Sequence, residues 1–176
     1  MEHLKKYIAE INDFPKEGIV FKDINTIYKE PSIWNELMLP LEKLVSITKP
    51  DYIAGIESRG FITASALAYK NHIGFLPIRK ANKLPGNVFG INYQLEYGED
   101  RLEIQKDIIS KNRKIIIVDD LLATGGTASA AGKLINELDA KLIGYAFLVE
   151  LTELQGRTKL ETKGDSKLLI ESVIKY

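Results

Sequence analysis

Residues 114–136, KIIIVDDLLATGGTASAAGKLIN, constrain the fold more than any other stretch. A β-branched apolar run, Ile115 to Val118, meets two acids, Asp119 and Asp120. It then turns through Ala123, Thr124, Gly125, Gly126 and Thr127 and takes up helical spacing. That order predicts a strand, an acidic strand end, a tight glycine turn and a helix start. The amides of such a turn, with the helix N-terminus behind them, suit a phosphate, because N–H groups converge there and the helix dipole favours negative charge. An ordinary βα turn has no use for paired acids, so the combination points to phosphate-related chemistry.

The segments on either side repeat the pattern. Apolar spacing predicts a helix from Leu4 to Ile11 and another from Ser32 to Ile47, the latter capped by Ser32 and bent at Pro40. Tyr52 to Ile56 reads as a strand, Gly60 to Tyr69 as a helix and Ile73 to Ile78 as a second strand. The first of these strands ends in Glu57, Ser58 and Arg59, the second in Arg79, Lys80 and Lys83. Between the two predicted helices, Asp13 to Ile27 reads as a loop over the core, either covering a hydrophobic edge or holding a flat ligand against Ile19 or Phe21. From Ala81 to Glu99 the periodicity fades; Tyr93, Leu95 and Tyr97 alternate with polar residues, and Leu102 to Gln105 offers a returning strand, so a two-stranded lid is expected. Further strands are expected at Leu142 to Leu148 and, as an edge, Leu168 to Ile174. Strands alternating with helices predict an α/β fold: an open, mainly parallel twisted sheet with helices on both faces and ligand groups at the strand ends.

Other phosphate motifs are excluded. LLATGGT lacks the lysine of a Walker A loop, and no GxGxxG follows a strand. A monophosphate ester on the turn fits better, with Thr124 and Thr127 hydroxyls as extra donors. Asp119 and Asp120 can accept from sugar hydroxyls or organise magnesium and its waters. Composition narrows the partners. The 176 residues suit one domain, 24 basic residues balance 24 acidic ones, and there is no cysteine. Thiolate chemistry is thereby excluded, and no bulk basic field is offered to nucleic acid or a membrane. No run approaches the length of a membrane span, so the cytoplasm is the expected location.

VDDLLATGGT from Val118 resembles the phosphoribosyl diphosphate motif of the type I phosphoribosyltransferases. DFPKEGIVFKDI from Asp13, YIAGIESRGF from Tyr52, RKANKLPG from Arg79, LEYGEDRLEIQKD from Leu95 and VELTELQGR from Val149 resemble the adenine-using branch of that family, in the expected order. The resemblance implies a single domain over 1–176. It would comprise an N-terminal helix and base-binding hood (1–30), a basic loop and flexible flap (79–105) and the phosphoribosyl diphosphate binding strand-loop-helix (114–136).

It also implies transfer of 5-phosphoribosyl from its 1-diphosphate to N9 of adenine, giving AMP and diphosphate in purine salvage, with Mg2+ as cofactor and a homodimer as the assembly. Ala123, Thr124, Gly125, Gly126 and Thr127 would hold the 5-phosphate, and Asp119 and Asp120 the ribose. Glu57, Ser58, Arg59, Arg79, Lys80 and Lys83 would form the diphosphate side, with the Glu57–Ser58 peptide cis. Val20, Phe21, Lys22 and Leu151 would enclose adenine, while Glu96, Arg59 and Tyr97 would assist catalysis. Magnesium would arrive with the substrate, near Asp119 and Asp120. Two alternatives remain at this point: a related enzyme for a 6-oxopurine, and a regulatory protein that senses the sugar diphosphate.

Overall fold

The computed structural model describes residues 1–14, 16–95, 98–160 and 168–176. The chain opens with a 3-10 helix, Glu2–Tyr7, followed by an antiparallel ribbon of β1 (Ala9–Ile11) and β2 (Phe21–Asp23). The helix expected to reach Ile11 stops early because Ile8 is extended (φ −93°, ψ 118°) and leads into this ribbon. After α1 (Asn25–Tyr28) comes α2 (Pro31–Thr48). Its N-cap is Glu30 rather than Ser32, with Pro31 in the first turn, where a missing N–H costs nothing. The helix also continues through Pro40. Ile33, Leu37, Met38, Leu41, Leu44 and Val45 are buried along one stripe, and that packing outweighs the hydrogen bond lost at the proline.

The remaining elements are β3 (Tyr52–Ile56), α3 (Gly60–Lys70), β4 (Gly74–Lys80), β5 (Val88–Leu95), β6 (Gly98–Gln105), β7 (Lys114–Leu122), α4 (Gly126–Glu137), β8 (Lys141–Glu150) and β9 (Leu169–Lys175). Short 3-10 turns at Thr152–Leu154 and Gly156–Lys159 follow β8. The strands form one sheet in the order β5-β6-β4-β3-β7-β8-β9. From β4 to β9 all neighbours are parallel; the β5–β6 hairpin joins antiparallel to β4.

Successive residues of the central strand face opposite sides, as the period of a strand requires. Ile116 and Val118 join Leu37, Leu41 and Leu67 from α2 and α3 in one core. Ile115 and Ile117 join Leu134 and Ile135 of α4, with Leu102 and Ile104 of the hairpin, in the other. Each fully buried Ile or Leu stabilises the sheet by roughly 1.5–3 kcal/mol. Burial on both faces explains why the strand sequence is apolar without alternation.

This topology positions the site. The connection after β3 passes through α3 to β4 on one side, and that after β7 passes through α4 to β8 on the other. Adjacent strands β3 and β7 therefore diverge at their carboxyl ends, leaving the crevice in which open α/β sheets bind ligands.

Candidate active site

A cleft of about 580 Å³ occupies that crevice. Its walls are Glu57, Ser58 and Arg59 after β3, Asp119 to Ala128 from β7 into α4, Lys80 and Lys83 from the end of β4, and Tyr93 and Asp100 from the hairpin. Sheet pairing brings these distant stretches together. The Glu57–Ser58 peptide is cis.

The two acids do not end their strand. β7 continues to Leu122, because Asp119 pairs with Phe147, Leu121 with Val149 and Leu122 with Glu150. Held in this way, Asp120 is buried, and its amide donates to Asp119 Oδ1 at 2.9 Å. Burial, then the neighbouring Asp120 charge, pushes the Asp119 carboxyl well above the usual carboxylate range. Arg59 Nε lies 2.8 Å from Asp120 Oδ2, a contact of charges that leaves this oxygen with no hydrogen bond from the described residues. A repelling, under-bonded acid pair favours a ligand that brings hydroxyl donors or a cation.

After the acids, Gly125 turns with φ 76° and caps α4, whose first residues, like Ala123 to Thr127, face the cleft. Glycine takes that backbone angle without the Cβ clash other residues meet. The turn is braced from below by Gly156, against whose carbonyl a Cβ on Gly125 would close to 2.4 Å. Arg157 fixes this brace: it holds Glu150 through two hydrogen bonds of 3.0 and 2.6 Å and donates to the Ile170 carbonyl and the Ser172 hydroxyl.

Across the cleft, Glu57 gathers the basic residues. Arg79 donates to it from Nε (3.3 Å) and from Nη2 (3.2 Å), Lys83 from Nζ (2.8 Å), and Lys80 from its amide (3.0 Å). Burial alone would raise the Glu57 carboxyl, but these donors outweigh it and bring it to about 2. Arg79, expected on the diphosphate side, is turned to Glu57 and the Lys83 carbonyl and is not part of the cleft wall. Lys80 instead pairs with Asp100 at 2.9 Å; burial opposes ionisation of Asp100, but the Lys80 bond and charge, the Arg101 amide and the Tyr93 hydroxyl together outweigh it and lower the carboxyl.

The hairpin expected as a lid is present, and Tyr93 Oη reaches Thr127 Oγ1 at 3.5 Å. Glu96 and Tyr97 lie outside the described residues. Of the base-side residues, Phe21 packs edge-on against Phe14 (5.1 Å), and the Arg59 guanidinium lies 5.5 Å above its ring. Val20 is exposed beside it, and Leu151 packs partly buried against the core. The Lys22 side chain is directed elsewhere, to Glu10 and over the Tyr176 ring.

Sequence reasoning missed Asp100 and the brace at Gly156, and it took Tyr93 only for a lid residue. Alternation in β5 puts Tyr93 on one face, but the partner across the cleft becomes visible only in the folded chain. Among the described residues no group of three or more His, Cys, Asp or Glu side chains is arranged to hold a metal. Asp119 and Asp120 are hard oxygen donors at the cleft wall, and they fit magnesium whose remaining ligands are substrate oxygens and water.

The model of the phosphoribosyl transferase domain matches residues 24–174, a range that holds the mainly parallel sheet with the acid pair and glycine turn at its switch point, and the chain is of the phosphoribosyltransferase class. The adenine phosphoribosyltransferase of Prochlorococcus marinus (strain NATL1A) is 70% identical over 176 residues, all of both chains. The crystal structure of the adenine phosphoribosyltransferase from Thermoanaerobacter pseudethanolicus superposes with a TM-score of 0.92 at 44% identity, covering 99% of this chain and 98% of that one. That of Saccharomyces cerevisiae, complexed with an imino-altritol bisphosphate and adenine, gives 0.88 at 42% identity, covering 97% and 96%. The chain belongs to the adenine phosphoribosyltransferase family.

Proposed function

We propose that this chain transfers 5-phosphoribosyl from 5-phosphoribosyl 1-diphosphate to N9 of adenine, releasing AMP and diphosphate, as a step of purine salvage. One observation carries the reading. A single cleft holds an under-bonded acid pair beside a phosphate turn and faces a basic strand end, with Arg59 reaching from the acids to an aromatic ring. Relatives named for this reaction, one of them solved with adenine, support it.

In this reading the turn from Ala123 to Thr127 and the N-terminus of α4 hold the 5-phosphate, and Asp119 and Asp120 accept from ribose hydroxyls. Phe21 stacks on the purine, Leu151 closes its other side, and the backbone from Val20 to Lys22 reads its edge. Ser58, Arg59, Lys80 and Lys83 face the diphosphate, with Glu57 holding Lys83 and Arg79 until it binds. Departure of diphosphate leaves positive charge on the ribose, so positioning and electrostatics carry the rate. Asp119 and Asp120, together with substrate oxygens, would hold magnesium, which would supply positive charge toward the leaving group. The hairpin closes over the site through Tyr93 and excludes water, which would otherwise consume the activated sugar. Glu96, from the family pattern, takes the proton as N9 attacks, and Tyr97 completes the lid. The enzyme works in the cytoplasm as a homodimer.

The test is magnesium-dependent AMP formation from adenine and phosphoribosyl diphosphate, with hypoxanthine, guanine and xanthine in parallel. Selective AMP formation supports the assignment. A preference for a 6-oxopurine overturns the base, and binding of the sugar diphosphate without transfer overturns the enzyme.

A further inference from the structure

Three buried polar atoms from separate elements lie on one side of the sheet: Asp120, two residues on from Val118, faces the layer in which α3 encloses Thr63 and Tyr28 packs. Tyr28 Oη at the end of α1, Thr63 Oγ1 on the buried side of α3 and Asp120 Oδ2 on β7 are all buried, and none has a hydrogen-bond partner among the described residues. Thr63 is fully enclosed, and Asp120 is 5% exposed. Tyr28 is held by its ring, which packs edge-on against Trp34 at 5.0 Å. The Thr63 hydroxyl and the Asp120 charge both bear on its phenol, as do Arg59 and Asp119 more weakly.

Three such groups are costly if they stay apart, since each buried polar atom without a partner loses its hydration with nothing in return. Two are hydroxyl rotors and one is a carboxylate oxygen, so together they can satisfy one another. A phenol keeps its proton at neutral pH, so Tyr28 has a hydrogen to donate. On the opposite side, Arg59 touches the same Asp120 oxygen without a directed hydrogen bond. When Arg59 moves to a diphosphate, that oxygen loses its counter-charge.

We infer that Tyr28 and Thr63 are positioning residues for Asp120: the Tyr28 hydroxyl, oriented by Thr63, donates to Asp120 Oδ2 once Arg59 turns to the substrate, keeping the other carboxylate oxygen aimed at the ribose. The sugar site is thereby coupled to the N-terminal segment through α1. The inference rests on the ribose role of Asp120.

The readout is calorimetric affinity for phosphoribosyl diphosphate with magnesium, adenine omitted, followed by the KM of each substrate. Tyr28→Phe keeps the ring and its contact with Trp34. Its affinity for the sugar diphosphate, and the corresponding KM, are expected to worsen about tenfold, the value of one hydrogen bond to a charged group. The KM for adenine and the melting temperature stay near wild type. Thr63→Val reproduces the loss and Thr63→Ser, which retains the hydroxyl, restores affinity. Wild-type affinity in Tyr28→Phe, equal losses toward both substrates with a lowered melting temperature, or identical behaviour of the two Thr63 variants each overturns the inference. A wild-type chain that binds no sugar diphosphate overturns the underlying reading instead.

Discussion

Gly156 and Ala123 meet backbone to backbone: a Cβ placed on Gly156 would lie 2.1 Å from the Ala123 carbonyl oxygen and 2.8 Å from the Gly125 amide nitrogen. The glycine turn after β7, the proposed phosphate site, is therefore shaped as much by the segment after β8 as by its own glycines. Gly156→Ala forces the turn outward, and overpacking of this kind costs about 1–3 kcal/mol. Its KM for phosphoribosyl diphosphate is expected to rise about tenfold or more while that for adenine changes little. Steady-state kinetics with each substrate varied in turn checks this, and parallel changes in both constants would locate the damage elsewhere.

Glu57 gives a pH-dependent prediction. Its carboxyl is brought from an ordinary value of 4.5 to about 2 by Arg79, Lys83 and the Lys80 amide, against the opposing effect of burial. A depressed folded pKa means that the unfolded chain binds the extra proton, so the clamp contributes fully above about pH 4.5 and is lost as pH falls toward 2. Glu57→Gln, neutral throughout, is expected to lower the urea midpoint at about pH 7 and to lose less stability than wild type on going to about pH 3. Equal losses in both proteins would show that the clamp does not govern acid stability.

The central strand, its turn and the following helix were legible because burial on two faces writes an apolar run and a positive-φ turn writes glycine. The acids inside β7 were not: aspartate disfavours strands, and pairing with β8 at Phe147, Val149 and Glu150 overrides that preference. Nor was the end of the first helix, since the Ile8 backbone follows pairing with a strand a dozen residues on. Within the site, acids and basic residues were found by type, but not their partners. Glu57 and Lys83 are 26 residues apart, and only the parallel register of β3 with β4 brings them together.

Glu96 lies outside the described residues, and its role comes from the family pattern alone. A positioned general base contributes about 10²–10⁴-fold to rate. Glu96→Gln is expected to lower kcat by about that factor, with the affinity for phosphoribosyl diphosphate retained. Unchanged turnover would leave Glu96 as part of the flap and nothing more.

Arg59 separates charge from shape. Its guanidinium touches Asp120 at 2.8 Å and stacks over Phe21 at 5.5 Å, so one side chain joins the acid pair to the aromatic ring, the proposed sugar and base sides of the cleft. Lysine keeps the charge but not the planar face or the fork of donors. Arg59→Lys is therefore expected to lower kcat/KM for both substrates by roughly tenfold to a hundredfold while leaving stability close to wild type. Arg59→Leu goes further, because it strands a carboxylate only 7% exposed, and removing one partner of a buried pair costs about 3–5 kcal/mol at the upper end. Kinetics and thermal unfolding of the two variants together decide the matter: comparable loss of stability in both would mean that shape, rather than charge, holds Asp120 in place.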